Sequence, residues 1–170
     1  GEGFLYEPKW DGFRALVFCK STDVYIQSRD LRPLDRYFPD LHAVFRERLP
    51  AGCVIDGELV IATAQGLDFD ALQLRLHPAA SRVAKLAAAA PAGFVGFDLL
   101  AVDGHDLRSR PQSERRPRLE ALLGESAPPI YLTPMTRDRA LAAEWLDRFE
   151  GAGLDGVIAK SAGARYEPGR

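Results

Sequence analysis

Residues 53–61, Cys-Val-Ile-Asp-Gly-Glu-Leu-Val-Ile, set two carboxylates, Asp56 and Glu58, inside an otherwise apolar run of strand length. A strand buried in a sheet offers an ion no water, and an unpaired buried charge costs several kcal/mol. These acids must therefore be paired, ligated or set at the rim of a cleft. The same conflict recurs along the chain. Asp98 lies in Phe94-Val-Gly-Phe-Asp-Leu-Leu-Ala101, Asp155 and Lys160 bracket Asp-Gly-Val-Ile-Ala-Lys, and Lys9 and Asp11 precede the apolar stretch Ala15-Leu16-Val17-Phe18. Three of these places carry the dipeptide Asp-Gly, at residues 11–12, 56–57 and 155–156. One Asp-Gly is a common turn, but three beside apolar runs point to close backbone approach or bulges.

The periodicity places elements around these runs. Gly12 to Cys19 reads as a strand, Asp23 to Ser28 as its alternating partner, and Lys20-Ser21-Thr22 as the turn between them. Arg29 to Arg36 is a polar loop. Tyr37 to Leu49 has helical spacing and is stopped by Pro50 and Gly52. Cys53 to Ala62 is a strand. Phe69 to Leu76, Ser81 to Ala90 and Glu114 to Leu123 are helical, Phe94 to Val102 is a strand and Ile130 to Thr133 a short one. Arg137 to Gly151 is an amphipathic helix carrying Leu141, Trp145 and Phe149, and Leu154 to Ser161 is the last strand. Strands and helices mix without regular βαβ alternation, which predicts an α+β fold with largely antiparallel sheets flanked by helices. With 170 residues, 46% of them hydrophobic, the chain is long enough for one domain with its own core.

Several function classes lose support. No apolar run reaches the roughly 18–20 residues of a membrane span, and Gly1-Glu2-Gly3-Phe4 lacks the features of a signal peptide, so a soluble cytoplasmic protein is expected. Cys19 and Cys53 sit in apolar runs and read as buried thiols rather than a disulfide or a metal site. His42, His77 and His105 are scattered and receive no catalytic role. The net charge of −2 does not announce a nucleic-acid partner, so a basic surface requires segregation of charge.

The charged residues suggest a chemistry of their own. A lysine freed of its proton is a nucleophile, carboxylates such as Glu58 and Asp155 suit Mg²⁺, which usually bridges phosphates, and arginines such as Arg14 and Arg29 suit phosphate or sugar oxygens. An amine, acids for a metal and arginines for an anion together point to attack on a phosphorus centre.

Lys9-Trp-Asp-Gly resembles the KxDG nucleophile motif of the covalent nucleotidyltransferases, which include ATP-dependent DNA ligases, RNA ligases and mRNA capping enzymes. Further motifs follow in the family's order: Ser28-Arg29, Asp56-Gly-Glu58, Phe94-Val-Gly-Phe-Asp-Leu-Leu100 and Asp155-Gly-Val-Ile-Ala-Lys160. One KxDG is weak evidence; five motifs in order are strong. The context Glu7-Pro-Lys-Trp-Asp-Gly-Phe-Arg14, the segment Arg36-Tyr-Phe-Pro-Asp-Leu41 and the ending Arg165-Tyr-Glu-Pro-Gly-Arg170 are similar to bacterial ATP-dependent DNA ligases of the C/D type, linked to end joining and repair.

The resemblance implies an ATP-grasp-like covalent nucleotidyltransferase fold with an ATP cleft. Lys9 would attack the α-phosphate of ATP, with Mg²⁺ or Mn²⁺ present, to give lysyl-AMP. The full-length enzyme would pass AMP to a 5′-phosphate of nicked or broken double-stranded DNA. Glu7 would help recognise adenine, Arg14 and Arg29 would contact ribose and phosphate, Glu58 would bind the ribose hydroxyls, Phe97 would stack on the base, Lys160 would bind nucleotide, and Asp155 would lie near the metal. Asp155 departs from the pattern, being one methylene shorter than the family's glutamate. The family's later lysine motif and OB domain do not occur before Arg170. The expectation is thus an adenylation core over residues 1–170, incomplete at both ends, weakly active or inactive alone. An RNA ligase, a capping-type enzyme and a noncatalytic nucleotide- or DNA-binding module remain open on the residues alone.

Overall fold

The computed structural model describes residues 3–149 and 154–168, apart from the side chains of residues 149 and 155. Alternation of buried and half-buried residues builds its central strands. In β2 (Phe13–Cys19), Ala15, Val17 and Cys19 point into the core while Arg14, Leu16 and Phe18 take the opposite face. β2 pairs antiparallel with β3 (Val24–Ser28) on one side and β4 (Val54–Val60) on the other. β4 pairs antiparallel with β7 (Gly93–Val102) after the small hairpin of β5 (Ala62–Thr63) and β6 (Gly66–Leu67). β8 (His105–Asp106) folds back on β7, giving the order β3-β2-β4-β7-β8.

β9 (Ile130–Leu132) also joins β7, and it runs parallel, against the antiparallel pattern of the rest. Parallel neighbours need a crossover connection, and α4 (Gln112–Leu123) supplies it. The second sheet has two strands from opposite ends of the described chain, β1 (Phe4–Trp10) and β10 (Leu154–Ser161), paired antiparallel. The indole nitrogen of Trp10 donates to Thr133 Oγ1 at 2.9 Å and ties β1 to the segment after β9.

The core lies on one face of the larger sheet. Val17, Ile26, Ile55, Leu59 and Phe94 meet Phe38, Leu41 and Phe45 of α1 (Pro39–Arg48) and its approach, and Leu72 of α2 (Phe69–Leu74). Leu119 and Leu123 of α4 join the same cluster. Cys19 and Cys53 are free, buried thiols, as expected. The expected loop 29–36 contains the start of a short 3₁₀ turn, Asp35–Tyr37. α3 (Ala80–Ala89) follows its expected bounds closely.

α5 (Arg139–Phe149) packs on β1 and β10, but Ala142 is its buried residue while Leu141 is exposed. Gly151, where this helix was expected to end, the Phe149 side chain and the terminal Gly169-Arg170 lie outside the described residues. None of the described helices is long and apolar enough to cross a membrane.

Two of the Asp-Gly glycines are where the sheet comes closest to itself. A Cβ on Gly12 would collide with the Leu59 carbonyl oxygen, and one on Gly57 with the Phe94 ring. Neither space admits a side chain, so the dipeptide here marks close approach and not merely a turn.

A buried arginine ties the helices to one another. Arg75, just past α2 and fully buried, donates to both carboxylate oxygens of Asp40 at 3.0 and 2.9 Å and to the carbonyls of Tyr37 and Ala90.

Candidate functional site

The polar face of the larger sheet and the β1–β10 pair enclose a cleft of about 750 Å³, a volume typical of a small-molecule site. Strand alternation puts Glu7 and Lys9 on one face of β1, with Glu7 buried and Lys9 exposed near the strand's end. On β2 and β4, Arg14 sits directly across from Glu58. Arg29 is exposed in the turn after β3. Glu7, Lys9, Arg14, Arg29, Glu58, Phe97 and Lys160 all line this one cleft. His42, His77 and His105 do not line it; His42 instead meets the Val24 carbonyl and Asp23.

Phe97 reaches the cleft through an irregularity in the sheet. Asp56 pairs with Asp98 and Gly57 with Gly96, so Phe97 is an extra residue opposite two consecutive positions of β4. Such a bulge re-aims a side chain. Phe97 is half-buried, and its ring carries Lys160 Nζ at 4.9 Å and the Arg14 guanidinium at 5.4 Å from its centroid. A second bulge lies beside the lysine. Lys9 pairs with Gly156 and Trp10 with Leu154, which leaves Asp155 as the extra residue of β10. Its backbone is thereby opposite Lys9 and Trp10; its side chain lies outside the described residues.

The buried acids are paired, as their cost requires. Asp56, fully buried, accepts from Arg14 Nη2 at 2.7 Å and Nε at 3.3 Å, and from the Tyr166 hydroxyl at 2.8 Å. Arg14 is thus held by Asp56 and not by its sequence neighbour Asp11. Burial opposes the Arg14 charge, but Asp56 outweighs burial and keeps the guanidinium more basic than usual. Burial, with Asp56 beside it, pushes the Tyr166 phenol above its ordinary value, so it remains a donor. Asp98 accepts from Arg115 Nε at 2.9 Å and Nη2 at 3.2 Å. Arg115 also donates to Gln112 Oε1 and to the Ala164 carbonyl.

Glu7 is 1% exposed, with Lys160 Nζ 2.9 Å from its Oε2. Burial pushes its carboxyl up, and although Lys160 and Arg116 pull the other way, the net direction is upward.

Sequence reasoning missed the contribution of α4 and of the segment after β10. Gln112, Arg115, Ala164, Arg165, Tyr166 and Glu167 all line the cleft. Adjacent arginines in a helix ordinarily read as a solvated face, so Arg115 and Arg116 gave no signal. Tyr166 stood in the segment that carried the family resemblance, but nothing in its spacing connects it to Asp56. Replacing Tyr166 by phenylalanine removes one donor from a buried carboxylate and is expected to lower stability by about 1.5 kcal/mol. Urea unfolding should show a lower midpoint at unchanged slope.

Magnesium keeps most of its waters and takes one or two protein carboxylates together with substrate phosphates. Among the described residues no group of three His, Cys, Asp or Glu side chains gathers into a ready-made metal site. Asp56 and Asp98 are engaged by Arg14 and Arg115. The donor set of the cleft therefore suits a cation that arrives with phosphates rather than one caged by protein alone.

Comparison with known proteins places this cleft in context. The chain is 54% identical over 166 residues to DNA ligase C2 of Mycolicibacterium smegmatis, covering 98% of this chain and 47% of that protein. It is 54% identical over 167 residues to DNA ligase C of Mycobacterium tuberculosis, covering 96% of this chain and 47% of the relative. The chain thus spans about half the length of these relatives. Among solved structures, a mycobacterial DNA ligase D complexed with ATP and MES superposes with a TM-score of 0.77 at 30% identity, over 98% of this chain and 51% of that one. The Chlorella virus DNA ligase-adenylate, at 16% identity and a TM-score of 0.57, shares the fold over 98% of this chain and 56% of its own. The family model described as "ATP dependent DNA ligase domain" matches residues 1–170, and the chain belongs to that family.

Proposed function

We propose that this domain carries out the first step of ATP-dependent DNA ligation, transfer of AMP from ATP to its own Lys9. The observation that supports it is the meeting of Lys9 with Glu7, Arg14, Arg29, Glu58, Phe97 and Lys160 around one nucleotide-sized cleft. Attack needs the lone pair of the Lys9 amine, so the exposed ammonium first gives a proton to water, and the nitrogen loses a second to water once it is bonded to phosphorus. Nζ then bonds to the α-phosphorus, the bond to the bridging oxygen breaks in line, and pyrophosphate departs with that electron pair. Arg14 and Arg29 bind ribose and phosphate oxygens, Glu58 accepts from the ribose hydroxyls, Phe97 stacks on adenine, Glu7 contacts the base edge, and Lys160 adds a cation to the nucleotide site. Magnesium or manganese, with Asp155 as its protein contact, would offset charge on the phosphates.

In the whole cytoplasmic enzyme, AMP passes from Lys9 to the 5′-phosphate of nicked or broken double-stranded DNA, and the adjoining 3′-hydroxyl displaces it in repair.

The test uses α-labelled ATP with Mg²⁺ and excess protein. Label that survives denaturation and is released by acid is the expected phosphoramidate, and intact mass should rise by one AMP. In the full-length parent enzyme, ATP that binds without ever labelling the protein would overturn the reading in favour of a noncatalytic nucleotide-binding module.

A further inference from the structure

Charged side chains from three other elements surround Glu7. Lys160 approaches from β10 at 2.9 Å, Arg116 faces Oε1 from α4 at 3.7 Å, and Asp98 on β7 adds a negative charge farther off. Arg116 is buried and held at two of its nitrogens. Nε donates to Glu120 Oε1 at 2.9 Å and Nη2 to the Thr133 carbonyl at 2.8 Å. The remaining nitrogen, Nη1, faces Glu7 Oε1, and neither atom has a hydrogen-bond partner among the described residues. At 3.7 Å they are too far apart for a hydrogen bond, yet in a site shielded from water the attraction between the charges is strong. A guanidinium anchored on both sides cannot swing to solvent, so its charge is fixed against the carboxylate.

We infer that Arg116 is a positioning residue for nucleotide recognition, holding the Glu7 carboxylate ionised so that it remains an acceptor for the base. The inference rests on the proposed contact between Glu7 and the base. Burial and Asp98 favour a proton on Glu7, while Lys160 and Arg116 oppose it. Without Arg116 only Lys160 remains in opposition, and the carboxyl takes its proton at a higher pH. A protonated Glu7 turns one acceptor oxygen into a donor, which a base amine cannot use.

The experiment follows the Glu7 carboxyl by carbon-13 NMR and ATP affinity by calorimetry, both across pH 5 to 9, in the wild type, Arg116→Gln and Arg116→Lys. The glutamine variant should titrate Glu7 about one pH unit higher, with the acid-side loss of ATP affinity shifted by the same amount, while the lysine variant stays near the wild type. A merely structural role would instead weaken binding equally at every pH. If Arg116→Gln does not fold, Glu120→Gln loosens the guanidinium without removing it and should give a smaller shift in the same direction. An unmoved Glu7 midpoint overturns the inference. A midpoint that moves without the affinity following it leaves the hold on the carboxylate standing, but overturns the contact between Glu7 and the base and with it the role in recognition.

Discussion

Lys9→Ala is expected to remove covalent labelling by α-labelled ATP, a loss on the order of 10⁴-fold or more, as for other enzymes deprived of their nucleophile. ATP affinity should change far less, because the cleft's other contacts remain. Lys9 is exposed on β1 and its side chain forms no ion pair or hydrogen bond among the described residues, so truncating it breaks no structural contact there. The melting temperature should accordingly stay within about a degree or two of the wild type, surface substitutions usually costing under about 0.5 kcal/mol. This separation of chemistry from folding makes the variant informative. Labelling gone, with binding and melting retained, assigns the covalent bond to Lys9. Label that persists in the alanine variant removes Lys9 as the nucleophile. Lys9→Arg is a useful companion, since it keeps a cation but offers no amine that loses its proton near neutrality.

Part of this site was legible in sequence: Lys9, Arg14, Glu58 and Lys160 carry charge in or beside strand-like apolar runs, whereas Glu7 and Phe97 entered through the family resemblance. The apolar strands around Arg14, Asp56, Glu58 and Asp98 declared themselves by composition, and the cost of buried charge said that they must be paired or face a cleft. Register was not legible. That Arg14 lies across from Glu58, two pairs from the Leu16–Asp56 pair, depends on β2 and β4 meeting over a separation of about forty residues. Nor could period two anticipate the bulges at Phe97 and Asp155, where an inserted residue changes which side of a strand a side chain takes. The pairing of β1 with β10 joins the two ends of the described chain, and no local pattern encodes it. α4 misled most. Its adjacent Arg115 and Arg116 look like solvent residues, yet they neutralise Asp98 and Glu7 inside the protein.

Arg75→Met is expected to cost about 3–5 kcal/mol, the range for breaking a buried ion pair from one side, and to lower the melting temperature by roughly 10 °C for a domain of this size. The reason is the number of groups one guanidinium satisfies. Its two terminal nitrogens serve both oxygens of Asp40 and the carbonyls of Tyr37 and Ala90, and its Cζ lies 5.3 Å from the centre of the Phe38 ring. Asp40 also accepts from the Ala92 N–H at 2.9 Å, so α1, the end of α2, the end of α3 and the approach to β7 share one junction. Asp40→Asn added to Arg75→Met should restore the part due to the unpaired charge but leave the two carbonyls without their donor. The double variant should therefore remain about 1–3 kcal/mol below the wild type. Acid titration of stability gives an independent check. Burial pushes the Asp40 carboxyl up, but Arg75 and the Ala92 N–H outweigh it and hold it below its ordinary value. A carboxyl lowered by folding contributes stability that is present above its unfolded pKa and lost as pH falls through its folded one. In Arg75→Met the balance reverses toward burial, and this contribution to acid sensitivity should disappear or change sign. Urea midpoints measured from pH 7 down to pH 3 will show it; a variant with the wild-type slope against pH would mean that Asp40 owes its ionisation to something other than Arg75.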